Sequence, residues 1–203
     1  MKRYLASALV GSMLVVSAAC GDSEADSDDD GAVTSGGGGA GGSEATDPYA
    51  EMYACQETQF EAAKPLSGPG YDVATGFVGT PQASYVVHAT QIYIRPDQYD
   101  DFYATAGKVV AQLAQTEGLV AFTLGDDEGC GVARTIGVWS SEEALYAFVA
   151  TGAHAEAMSK TAVLSFTGRT THWDATPEEV EALDWDVARA KLDGVASIDG
   201  YGY

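Results

Sequence analysis

From residue 85 onward, short runs that are apolar at nearly every position alternate with longer runs that are apolar every third or fourth residue. Tyr85 to Ile94 is rich in β-branched and aromatic residues and ends at Pro96, which predicts a strand. Residues 97–115 place Tyr99, Phe102, Tyr103, Ala106, Val109, Val110 and Leu113 at helical spacing, and Gly118 ends that helix. Two further strands follow at 119–124 and 132–139, joined through a turn-like stretch at 125–129. Ser140 or Ser141 caps a helix with Leu145, Phe148 and Val149 as its buried face, and Gly152 breaks it. A short helix at 153–161 and a fourth strand at 165–173 complete the pattern. Thr176, Pro177 and Glu179 then mark the start of a last helix, with Val180, Leu183, Val187 and Ala190 on one face.

The order is strand, helix, strand, strand, helix, strand, with an extra C-terminal helix, which is the ferredoxin-like α+β arrangement. Residues 84–193 hold this domain, 48–83 form an N-terminal extension with a short helix expected near 49–63, and 194–203 form a tail. The strands carry apolar residues at both parities, as in Tyr85 and Val86, Leu119 and Val120, and Val138 and Trp139. Such strands expect cover on both faces of the sheet, whereas the helices cover only one. The expected cover for the other is a second copy of the chain, giving a homodimer through the sheet.

The N-terminus is of another kind. Lys2 and Arg3 precede an apolar run from Leu5 to Val16, too short to span a bilayer, and the small residues Ser17, Ala18 and Ala19 lead to Cys20. Residues 1–19 therefore read as an export signal. Cys20 directly after it resembles the lipobox cysteine of bacterial lipoproteins, which is acylated and becomes the mature N-terminus. Residues 20–47 are acidic and then glycine-rich, a composition that buries too little apolar surface to order itself. A flexible tether of that length spans roughly 30 Å. The chain is thus expected in the bacterial envelope, held to a membrane by lipid.

Charge narrows the partners. Ten basic side chains face thirty acidic ones, and loss of Lys2 and Arg3 with the signal leaves eight. That excess repels phosphate backbones, so nucleic acid is not an expected partner. Beyond Cys20 the cysteines are Cys55 and Cys130, whose expected state in an exported chain is a disulfide.

The stretches 93–96 (Tyr-Ile-Arg-Pro), 118–122 (Gly-Leu-Val-Ala-Phe) and 138–144 (Val-Trp-Ser-Ser-Glu-Glu-Ala), with Ala153 and His154, resemble the antibiotic biosynthesis monooxygenase superfamily. The resemblance covers residues 84–173 and implies a dimeric α/β barrel. It also implies either oxygenation of a small hydrophobic or aromatic molecule without a cofactor, or a binding or structural module that keeps the fold and has lost the chemistry.

The candidate site residues each have two readings. His88 is either a neutral, hydrogen-bonded core histidine or an acid/base in a pocket. Arg134 shares a strand face with Val132, Ile136 and Val138, so it needs a buried carboxylate or an open pocket. His172 belongs either to the surface or to the pocket. Trp139 packs at a junction of strand and helix, or lines a ligand site. His154 and Met158 stand one helical turn apart, either facing the core or offering a nitrogen and a sulfur to a ligand. Haem-degrading relatives place their axial histidine in this segment, but the aligned position here is Met158, so haem is not the favoured cofactor. No nucleophile-elbow, zincin or phosphate-loop signature is present.

Overall fold

The computed structural model describes residues 47–195 and 198–199. The export signal, Cys20 and the tether lie outside those residues, apart from Asp47 at its end. Among the described residues no helix is long and apolar enough to cross a membrane.

In chain order the elements are α1 (Ala50–Tyr53), β1 (Glu61–Ala62), β2 (Tyr71–Asp72), β3 (Gly76–Phe77), β4 (Tyr85–Ile94), α2 (Tyr99–Leu113), β5 (Leu119–Asp127) and β6 (Val132–Trp139). Then come α3 (Glu142–Val149), α4 (Gly152–Met158), α5 (Thr161–Leu164), β7 (Ser165–Ala175), α6 (Pro177–Glu181), α7 (Trp185–Asp193) and β8 (Ile198–Asp199). The four long strands lie in the order β5-β6-β4-β7, and every neighbouring pair is antiparallel. Second, third, first, fourth is the ferredoxin-like order that the element sequence predicts. The short β1 and β8 extend the sheet beyond β5 and β7.

The pleat of β4 sorts its side chains cleanly. Val86, Ile92 and Ile94 join the core under α2–α5, with Phe102, Ala106, Val109 and Leu113 of α2 and Leu145 and Phe148 of α3. Tyr85, Val87 and Ala89 point to the opposite face, with Ile136 and Val138 of β6. That face is covered from within the chain. Val180 of α6 and Ala188 and Leu192 of α7 pack on it, as do Leu66, Tyr71 and Phe77 of the extension. Gly68 is what brings the extension so close: a Cβ there would lie 2.6 Å from the Val120 carbonyl oxygen and 2.7 Å from Ala121 Cα.

Three expectations change accordingly. The argument for a homodimer through the sheet rested on a bare face, and in the single chain this face is occupied by α6, α7 and the extension, so that argument no longer carries the dimer. The extension is part of the domain, because β1 pairs with β5 and Ser67 with Phe122; its helix is only α1. The C-terminal helix is two helices. Asp184 caps a fresh start by accepting from Val187 N–H at 2.9 Å. That restart rotates the register, so Ala188 and Leu192 are buried while Val187 is 39% exposed. The Thr176 capping box forms as its sequence predicts.

Candidate functional site

The helix-facing side of the sheet gathers most of the candidate residues. His88 on β4 lies opposite Gly137 on β6 and His172 on β7. Gly137 has no side chain, and the imidazole of His88 occupies the space a Cβ would take. Trp139, two residues along β6 on the same face, donates its indole N–H to His88 Nδ1 at 2.7 Å. That bond makes Nδ1 the acceptor and leaves the proton of a neutral imidazole on Nε2. The Phe148 ring from α3 stands 5.1 Å from the Trp139 ring and 4.7 Å from that of His154.

His154 is fully buried. The Gln112 side chain fixes its segment, accepting from His154 N–H at 3.0 Å and donating to the Thr151 carbonyl at 3.1 Å. His154 Nδ1 lies 3.1 Å from the Val149 carbonyl, which can only accept, so Nδ1 carries the proton. Its Nε2 lone pair is buried and has no hydrogen-bond partner. Thr90 Oγ1 and Thr135 Oγ1 share this condition, and these two residues are cross-strand neighbours on the same face. Burial is the main reason both imidazoles stay neutral. It lowers His88 to about 3, helped by the nearby His154 and His172, and lowers His154 to about 4 against a weak opposing bond to Val149.

His172 sits at the rim, its Nε2 3.2 Å from Glu142 Oε1 and its ring against Tyr146. Met158 is half-buried against the same core. Beside it an interior cavity of about 20 Å³ is walled by Ile92, Phe102, Ala106, Val109, Ala157 and Leu164. This holds one water and no porphyrin, and His154 is wedged against Phe148, so the residues present do not fit haem. Among the described residues no cluster of three His, Cys, Asp or Glu is placed to hold a metal ion.

Arg134 does not join this group. It points to the opposite face, where Glu57 of the extension accepts from its Nε at 2.9 Å and its Nη2 at 2.6 Å. Arg189 of α7 reaches the same carboxylate at 3.1 Å. Arg134 and Glu57 are 6% and 9% exposed as side chains, so the pair is sealed. The structure thus brings together His88, Trp139, His154, Met158 and, at the rim, His172, and separates Arg134 from them. Cys55 and Cys130 form a disulfide with Cα atoms 5.8 Å apart, two residues from Glu57 and four from Arg134.

Sequence reasoning missed Glu57, Arg189, Gln112, Thr90 and Thr135. Only Glu57 left a usable trace: a buried Arg134 demands a carboxylate, and Cys55 ties one nearby.

Residues 85–160, from β4 through α4, match the antibiotic biosynthesis monooxygenase family. No curated protein matches the chain. Solved structures that resemble it include a protein from Shewanella oneidensis (8% identity, 47% of this chain and 95% of that one, TM-score 0.42). Another is SnoaB, a cofactor-independent oxygenase from Streptomyces nogalater (18% identity, 45% and 91% coverage, TM-score 0.37). A third is a ferredoxin-fold protein related to antibiotic biosynthesis monooxygenases from Listeria monocytogenes (20% identity, 44% and 54% coverage, TM-score 0.37).

Proposed function

We propose, for a chain whose residues 85–160 form an antibiotic biosynthesis monooxygenase-like domain, that it is an envelope protein anchored by lipid on Cys20 which takes up a small hydrophobic or aromatic molecule between its sheet and α4. The observation that carries this reading is the Nε2 lone pair of His154, fully buried, neutral and unpartnered. An unmet acceptor in an apolar interior costs about 1–3 kcal/mol, and a ligand hydroxyl or amine would offset that cost on binding. The unpartnered hydroxyls of Thr90 and Thr135 belong to the same interior. Ligand pockets are apolar with few polar contacts, and the one-water cavity at Phe102 and Leu164 would have to widen, by those side chains swinging aside, to admit such a molecule.

Thr135→Val tests the reading because it keeps shape and removes one unmet hydroxyl. The variant is expected to be as stable as the parent or about 1 kcal/mol more so, and to bind aromatic alcohols less tightly. A clear loss of stability would mean that the hydroxyl serves the fold, and the reading would lose its support. The anchor is tested separately: labelled palmitate should enter the parent chain and not Cys20→Ala.

Oxygenation of the bound molecule is a second reading, favoured by the family match. Removing a proton from a phenol needs a base that titrates near neutral pH. Buried imidazoles at about 3 and about 4 are poorly suited to that, and His172 at the rim is the remaining histidine. Oxygen uptake with a hydroquinone that disappears in His172→Gln would establish this second reading.

A further inference from the structure

The small cavity adjoins a groove on the surface. A surface groove of about 360 Å³ runs between α2 and α5, and Thr105 and Leu164 wall both this groove and the cavity. They border both spaces. Leu164 ends the four-residue α5, so a small shift of a short element would join them. Val163, 63% exposed, forms an apolar lip to the groove.

Two lysines stand at this mouth, beside two carboxylates. The chain has thirty acidic and ten basic side chains, yet the groove is flanked by Lys108 and Lys160. Glu156 lies between them, 3.8 Å from Lys108 and 2.6 Å from Lys160, and Asp101 is the groove's own carboxylate. Lys108 is 62% exposed as a side chain, and its contact with Glu156 is long. Each ammonium has three donors, so both lysines retain capacity for a second anion.

We infer that the molecule taken up is a small amphiphilic acid, with its apolar body passing between Thr105 and Leu164 into the interior and its carboxylate or sulfonate held at Lys108 and Lys160. This rests on the binding reading above and adds the ligand's charge and its direction of entry. A neutral aromatic would gain the same apolar contacts and nothing at the mouth.

The test compares anilinonaphthalene sulfonate with N-phenylnaphthylamine, two fluorescent probes that share an aromatic body and differ by the sulfonate. Both are titrated into the full chain carrying Cys20→Ala, into Lys108→Gln/Lys160→Gln, and into Ala106→Leu, which fills the cavity. The expected result is tighter binding of the sulfonate by up to about fivefold, since one surface ion pair is worth up to ~1 kcal/mol. That advantage should vanish in the lysine variant and shrink as salt rises. Equal binding of both probes, indifferent to the lysines, would overturn the inference and leave the pocket standing. Failure of both probes to bind, or undiminished binding to a folded Ala106→Leu, would overturn the pocket itself.

Discussion

The indole N–H of Trp139 donates to Nδ1 of His88 across the paired strands β6 and β4, and neither side chain reaches solvent. With His154 of α4 also buried, the core beneath the helices holds two imidazoles kept neutral by their surroundings, at about 3 and about 4. In the unfolded chain both revert to the ordinary histidine range near 6.5. The native values are therefore depressed, and as pH falls below about 6.5 the unfolded state binds protons that the native state refuses. Stability is complete above that pH and declines toward 4 for His154 and toward 3 for His88, by about 1.4 kcal/mol per pH unit for each. Urea unfolding at pH 7, 6 and 5 should show the decline. His154→Leu should lessen its steepness by one proton, and an unchanged slope would contradict the burial of that imidazole.

Glu57 binds Arg134 of the sheet and Arg189 of α7 with one carboxylate, and so joins the two segments that cover the second face. Replacing it by Gln strands the Arg134 guanidinium in a sealed site. The expected loss is about 3–5 kcal/mol, measured by chemical unfolding. Glu57→Leu combined with Arg134→Met removes both charges and should recover much of that loss. If the double variant is no better than the single one, packing rather than charge holds the extension down.

The Cys55–Cys130 bond closes a loop of 75 residues. On the chain-entropy account it contributes about 4 kcal/mol. Thiol titration of the folded, unreduced protein should find neither cysteine free, and reduction should lower the unfolding midpoint. A reduced protein with an unchanged midpoint would show that hydrogen bonds such as Gln59 N–H to Asp127 secure the extension alone.

Because α6 and α7 cover the second face, the intact chain should not associate through its sheet. Ending it after Ala175 removes α6 and α7 from β4 and β7 and exposes apolar side chains such as Val87 and Ala89, while Phe77 of the extension still stacks on Tyr85. Sedimentation of the Cys20→Ala chain with and without that truncation should show association only in the truncated form. Sheet-mediated dimers of the longer chain, identified by cross-links between β4 residues, would mean that the helices swing away.

The strand and helix order was legible because period-two and period-3.6 patterns are local, and the unbroken apolar strands correctly demanded cover on both faces. What supplied that cover was not legible. Residues 48–83 hold little regular structure, and their hold on the sheet depends on a glycine at 68 and on Glu57, whose partners lie 77 and 132 residues away. The restart of the last helix hung on one Asp184 cap. The site was visible only in part. His88 and Trp139 stood out by type, but their bond depends on Gly137 leaving space across the strand, a relation of register that residue spacing does not reveal.

The disulfide also sets where mechanical force enters the fold. A pull on the N-terminal side reaches Cys55 after only α1, and there it passes covalently to Cys130 at the approach to β6. The strap of residues 56–83 lies beyond that junction and carries none of the tension. Force is delivered instead to a strand flanked on both sides by β4 and β5. Yielding there requires several hydrogen bonds to shear together, whereas a pull on an unbridged extension would unzip β1 one pair at a time.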